Sequence, residues 1–352
     1  MMAKDPAGQA PEEELNIEGP DAPTSNTTTA ISDGIDPDIN KMETHVANLT
    51  DVVTPGASNE EFLTQLLQTP DEQLIPWEEC ALPSQGIYYG WPDGIVKVRA
   101  MGQVAEKILA TQRLAQSGQS IDYLFRECCK FPDGFDPINL MLGDRIFLLY
   151  YLRGITHGHV YEFAITCPDK NCESVSTHRY DLNELASTIV WADKSLGNEP
   201  FKVTLPYLSE ATGRDVWVSV RFLRAGDAND MLAKRKTKDK MMVRPGGVRT
   251  RKKGQSPLSQ PKQIQTQNER IDDTITDNME KIIVNVMGVG DIFTIRQFIS
   301  KLHSQDTATI REWLRDNTPG IDNSVVVTCT DCGNEFTTEL PITESFFRPT
   351  KQ

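Results

Sequence analysis

Two cysteine pairs, set far apart, constrain this chain more than anything else in it. "FAITCPDKNCESVS" at residues 163–176 and "VVVTCTDCGNEF" at residues 325–336 share one grammar. An extended apolar run (Phe163 and Ile165; Val325, Val326 and Val327) reaches a thiol, a polar turn leads to a second thiol, and another strand-like run departs. The spacings, Cys167-x4-Cys172 and Cys329-x2-Cys332, lie in the short-loop range of structural zinc sites, where a turn aims both sulfurs the same way. Two such knuckles supply the four soft ligands of tetrahedral Zn2+, so Cys167, Cys172, Cys329 and Cys332 are the predicted metal site. A fold that unites them closes a long loop, a cost that grows only slowly with length. Zinc affinities of folding peptides, roughly 10–16 kcal/mol, are large enough to meet it. Redox or unrelated cysteines are the competing reading.

Catalytic alternatives fit the residues poorly. A closed four-sulfur shell has no open position for water. A zinc deaminase needs His-x-Glu and Pro-Cys-x-x-Cys, but Thr328 precedes Cys329, and Glu162 falls one position too far from His159. A thioredoxin-type dithiol opens a helix, whereas "EFTTELP" after Cys332 reads as a strand. His157 and His159 are spare ligands or, more simply, turn and strand-entry residues. There is no Walker loop, dinucleotide fingerprint or nucleophile elbow, so the reading is not an enzyme.

The seven cysteines are an odd number, which argues against a disulfide framework; Cys80, Cys128 and Cys129 lack ligand spacing, and the Cys128–Cys129 pair reads as core. The N-terminus has no apolar signal core, and no run is long enough for a bilayer span, so a reducing cytoplasm is expected. The net charge of -14 is uneven. Residues 1–80 carry 17 acidic and 2 basic side chains, or -15, leaving about +1 for the remainder.

Residues 1–79 therefore read as an acidic leader, with 1–57 too poor in apolar residues to order alone. Within it, 58–69 ("SNEEFLTQLLQ" and Thr69) predicts a short helix with a Ser58/Glu61 capping box and Phe62, Leu66 and Leu67 on one face. It either docks on a neighbour or packs on its own domain. Residues 80–350 read as an α+β domain: a helical core, short antiparallel strand pairs and a ribbon-like four-cysteine staple. The patterns predict a strand at Ile95–Val98, a helix over 102–116 facing in through Val104, Ile108 and Leu109, and a central helix from Asp136-Pro137 to a stop at Gly154. "FKVTLP" and "DVWVSVRFL" read as a strand pair around a Thr212-Gly213-Arg214 turn. Helices over 272–287, 291–302 and 306–316 each open on an Asp suited to N-capping.

Residues 234–263 read as a basic, flexible insertion. Its Lys234–Lys253 part holds 10 Lys and Arg against one Asp. A phosphate-contacting arm, and hence a nucleic-acid-binding zinc protein, is one reading. A solvated insertion is favoured over it, because stacking aromatics are absent and no recognition helix follows directly; docking on an acidic protein is a third reading.

The order of motifs resembles the T-even-type phage baseplate protein family. "LPSQGIYYGWPDGIVKVRAMGQVAEKIL" matches its opening at Leu82, Pro83, Ser84, Gly86, Tyr88 and Arg99. The first knuckle, "VRFLRAGDANDML" and the closing "CTDCGNEFTTELPITESFFRP" fit its later part, so the likeness spans roughly 80–350. The acidic leader and basic insertion are additions, and "GQVAEKIL" lacks an expected acidic run. The resemblance implies a non-enzymatic structural protein of the hub region of a contractile-tail baseplate. Such a protein binds other tail proteins, in multiple copies, in the virion after assembly in the host cytoplasm. An assembly chaperone absent from the finished virion is the alternative it leaves open.

Overall fold

The computed structural model describes residues 56–242, 274–342 and 344–347, together with Met42, Ala47, Leu49 and Thr54. The rest of the 1–57 leader and residues 243–263 of the basic insertion lie outside the described residues.

In chain order, α1 (Asn59–Gln68) and α2 (Asp71–Leu74) precede β1 (Glu78–Ala81) and β2 (Ile95–Val98). Next come α3 (Gln103–Ala110), α4 (Gln112–Ser117), α5 (Ser120–Cys128), β3 (Cys129–Lys130) and α6 (Leu142–His157). A hairpin of β4 (Val160–Thr166) and β5 (Val175–Asp181) is followed by β6 (Ile189–Val190), β7 (Phe201–Thr204), α7 (Pro206–Thr212), β8 (Trp217–Val220) and α8 (Ala225–Met242). The last part holds α9 (Thr274–Ile282), β9 (Ile283–Val286), α10 (Ile292–Ile299), α11 (Ser304–Asn317), β10 (Gly320–Ile321), the hairpin β11 (Ser324–Thr328) and β12 (Glu335–Glu339), and α12 (Glu344–Phe347). All strand pairs are antiparallel, in the sheets β1-β2-β3, β7-β8-β9, β4-β5, β11-β12 and β10-β6. The class is α+β, as the patterning implied.

Helix α6 is the axis. Its residues are buried almost without a break from Phe147 to Ile155, because α5, β1, β2, β4 and β11 surround it with Leu124, Cys80, Val96, Tyr161 and Val325. Asp144 in its first turn is fully buried and accepts from the Ser84 N–H at 3.0 Å and the Tyr89 hydroxyl at 2.6 Å. Those bonds fix the Leu82-Pro83-Ser84-Gln85-Gly86 loop on the core. Gly86 is required there: at φ 68 a Cβ would stand 2.8 Å from Trp91 Cβ. A second apolar cluster lies around β7, β8 and β9 under α9, α10 and α11, and Tyr89 packs against both.

Several boundaries differ from the sequence expectation, each for a local reason. The predicted 102–116 helix breaks at Thr111, and its buried residue is Ala105 while Val104 is exposed. Asp136 does N-cap Pro137, but only a 3-10 turn over Pro137–Asn139; the chain then extends through Leu140 and Met141 before α6 begins. Gly154 does not stop α6. It is the place where Met42, buried at 1%, lies against the helix, and a Cβ at 154 would sit 2.4 Å from Met42 Cβ. Gly158, at φ 82, takes the terminating position.

Helix α7 is inserted between the paired β7 and β8, with Gly213 closing it in the left-handed region. The 272–287 helix ends at Ile282 because β9 joins β8. Asp291 caps α10 as expected, accepting from the Thr294 N–H at 2.8 Å. Asp306, in contrast, lies inside α11, whose cap is His303. The buried Asp306 carboxylate instead accepts from the N–H groups of Tyr207 and Leu208, the first turn of α7. Helix α8 extends to Met242, so the opening of the basic stretch is helical backbone rather than loop.

Candidate metal centre

The two hairpins that carry the thiols are isolated two-stranded ribbons, held beside one another by the core behind them. Tyr161 and Phe163 of β4 and Val325 and Val327 of β11 point inward. The opposite side of each hairpin is more open, with Val175 of β5 and Val326 of β11 exposed. The alternation that buries one face aims both hairpin tips the same way.

Each tip has the same backbone plan. The N–H of the first thiol donates to the carbonyl two residues beyond the second: Cys167 to Ser174 at 2.8 Å, and Cys329 to Asn334 at 2.8 Å. The residue just after the second thiol is left-handed in both, Glu173 at φ 47 and Gly333 at φ 71. Glycine takes that conformation freely, whereas glutamate is strained in it. The extra residues of the first tip form a turn in which the Cys172 and Glu173 N–H groups both donate to the Asp169 carbonyl.

The four sulfurs meet. Cys167 Sγ is 3.7 Å from Cys332 Sγ, Cys172 Sγ is 3.8 Å from Cys329 Sγ, and all four lie within 4.8 Å of one another. Thiolates placed about 2.3 Å from a central ion at tetrahedral angles have edges of about 3.8 Å. The short edges therefore match a four-coordinate sulfur shell, and each short edge joins one hairpin to the other. Cys167 and Cys329 are buried, Cys172 is half-buried and Cys332 is exposed, so the shell faces the surface on one side.

The local field favours thiolate unequally. The Ser174 hydroxyl, followed by the N–H groups of Cys332 and Asp331, brings the Cys329 thiol down to about 6. The Asn334 N–H pulls Cys332 the same way, but desolvation and sharing with the other thiols outweigh it and push that thiol up to about 12. Ser174 was not singled out by sequence reasoning. Its hydroxyl lies 3.1 Å from Cys172 Sγ and 3.3 Å from Cys329 Sγ, bridging the knuckles. The signal that could have found it is its position, equivalent to Asn334 in the other repeat of the motif.

The other sequence candidates lie apart from this cluster. The His157 Nε2–H donates to the Phe347 carbonyl at 2.9 Å, and His159 Nε2 is 3.8 Å from Asp181. Cys80, Cys128 and Cys129 are buried core residues. Burial pushes the Cys80 and Cys129 thiols well up and Cys128 to about 12, the chemistry of inert packing groups.

What the frame and site define is an α+β domain in which two hairpins far apart in the chain converge on a four-thiol cluster able to hold a metal ion. The chain belongs to the T4 bacteriophage base plate protein family, which matches residues 80–348. No curated protein and no solved structure shows a significant match to it. Membership makes it a phage baseplate protein, a structural class whose members sit in the virion tail among other tail proteins. Among the described residues, no helix is long and apolar enough to cross a membrane.

The residues that carried the resemblance have structural work. Leu82 and Ser84 are buried, and Pro83 accepts from the Ala192 N–H at 2.9 Å. Tyr88 meets Phe201 and Phe222 edge-on in the second cluster. Arg99 pairs with Glu127 and lies over the Trp77 ring. The motif joins the two halves of the core.

Proposed function

We propose that this chain is a non-enzymatic structural component of the hub region of a contractile-tail baseplate, held in shape by one structural Zn2+ on Cys167, Cys172, Cys329 and Cys332. The observation that carries the metal reading is the convergence of the four sulfurs, with edges near those of a tetrahedral shell. Zinc is favoured over softer redox metals because it binds four thiolates without electron transfer and serves as a cross-link. The acidic leader and the basic stretch from Lys234 are contact segments for neighbouring tail proteins, and several copies act in one symmetric assembly.

Two measurements test this. Elemental mass spectrometry of the purified chain is expected to give one zinc per chain, lost in the Cys167→Ser/Cys329→Ser double variant. Metal-free wild-type protein would end the zinc reading. Mass spectrometry of purified particles is expected to find the chain at fixed stoichiometry. Its absence from particles that require it for assembly would instead favour the chaperone role.

A further inference from the structure

The leader before α1 meets the domain at one specific place. The segment 1–57 has few residues able to bury themselves, and Met42 is one that does: it belongs to the main apolar cluster with Tyr151, Ile155, Leu182 and Leu185. Its backbone is held as well as its side chain. The Met42 N–H donates to Asn183 Oδ1 at 3.1 Å, a bond between residues 141 positions apart in the chain. Asn183 is fixed in turn, because its own N–H donates to the Asp181 carboxylate that caps the 3-10 turn Leu182–Thr188.

Gly154 makes the other wall. It lies inside α6, where no turn demands a glycine. What demands it is Met42: a Cβ at 154 would stand 2.4 Å from Met42 Cβ and 3.2 Å from its Cα. A glycine inside a helix costs stability relative to alanine, so its place here is accounted for by a main chain that comes this close. Beyond Met42, Ala47 and Leu49 are half-buried, and the Thr54 N–H donates to Gln65 Oε1 of α1 at 3.0 Å. The stretch from Met42 to α1 is thus tied at both ends. Nine acidic and two basic side chains precede Met42.

We propose that Gly154 and Asn183 form an intrachain peptide site whose occupant is the leader, with Met42 as its anchor. The site takes an unbranched apolar side chain together with that residue's own backbone N–H. The anchor sets where the acidic segment joins the domain: at the last turn of α6 and the foot of the β4–β5 hairpin that carries Cys167 and Cys172, rather than at α1. A neighbour that binds the leader up to Lys41 leaves the anchor seated, whereas one that takes Met42 must first empty the socket. The inference depends neither on the metal nor on the baseplate role, so its failure would leave both standing.

Trypsin supplies the test, because the bond it cuts after Lys41 is the one whose amide is the Met42 N–H. A protease needs the segment extended and free, so cutting follows the fraction of time the socket is empty. Initial rates at Lys41, read by mass spectrometry on the full chain, are compared with those of a free peptide of residues 34–50 of the same sequence. Wild type is expected to be cut about a hundredfold more slowly than its peptide. Met42→Ala loses the apolar anchor, and Gly154→Ala fills the socket while favouring the helix; each should be cut about tenfold faster than wild type or more. Asn183→Ala, which removes only the acceptor, should be cut roughly threefold faster or more. Should Gly154→Ala fail to fold, the other two variants decide. Wild type cut at the peptide's rate, or variants protected like wild type, would overturn the proposal. Protection that grows with protein concentration would also overturn it, and would assign the socket to the leader of a second copy.

Discussion

At the scale of single residues, the four-thiol cluster owes as much to its neighbours as to its sulfurs. The Ser174 side chain hydrogen-bonds to one thiol from each hairpin, Cys172 and Cys329. Partners that hydrogen-bond to metal ligands typically contribute ten- to hundredfold in affinity. Ser174→Ala should therefore keep one zinc per chain but weaken its retention roughly tenfold or more against a competing chelator. Unchanged affinity would reduce Ser174 to a spacer. Glu173 poses the converse case. It holds the left-handed position that Gly333 holds in the other knuckle, at a cost of about 1–2 kcal/mol for a residue with a Cβ. Glu173→Gly should recover part of that, a gain of about 0.5–1 kcal/mol after the added freedom of the unfolded chain is subtracted. Thermal unfolding of the zinc-loaded protein reads it out, and a loss of stability would mean that Glu173 does something its backbone does not reveal.

At the scale of elements, the C-terminal turn is tied to the central helix by a titratable contact. His157, at the end of α6, donates to the Phe347 carbonyl, while Phe346 of α12 packs edge-on against Tyr150 and Tyr161. Burial first, and the Arg153 charge second, hold the imidazole below its ordinary range despite that hydrogen bond. The unfolded chain therefore takes up the proton first as pH falls. The stabilisation is complete above about pH 6.5 and is lost as pH drops through the lower folded value. The protection of the 344–347 amides, measured against their intrinsic exchange rates, should fall between pH 7 and 5, and His157→Gln, which keeps a donor without titrating, should flatten that dependence. Equal pH dependence in both proteins would place the titration elsewhere. The same scale explains the misplaced helix boundaries. Asp306 looks like a cap for its own helix, but the fold brings the N-terminus of α7 to it. Nor can local pattern distinguish a helix from a strand at Ile283–Val286 until β8 offers its edge.

At the scale of the whole molecule, the metal proposed here is a long-range staple. The two hairpins bracket the strands and helices of the second apolar cluster, β7 to β9 and α9 to α11, with β4 and β5 before them and β11 and β12 after. Cys329→Ser leaves three sulfurs around the ion and should lower the melting temperature by roughly 5–10 °C, as should chelation of the wild type. A melting temperature indifferent to both would mean that packing alone holds the hairpins together.

The sequence by itself determined the class and the cast: an α+β frame, the four cysteines and their knuckle grammar, the capped α1, a buried central helix (expected from Asp136-Pro137 to Gly154, though its ends moved) and the family. The family came from a resemblance in the order of motifs along the chain; each of the others follows from spacing, periodicity or the chemistry of residue types within a few positions of one another. Only the tertiary structure decided what meets across the chain: Cys167 beside Cys332, Ser174 between two thiols, Met42 against Gly154, Asp306 on a foreign helix. These are contacts between segments whose local patterns carry no record of one another. The physical reason is that burial and hydrogen bonding are satisfied by whichever group arrives in space, and sequence proximity does not specify which one that is.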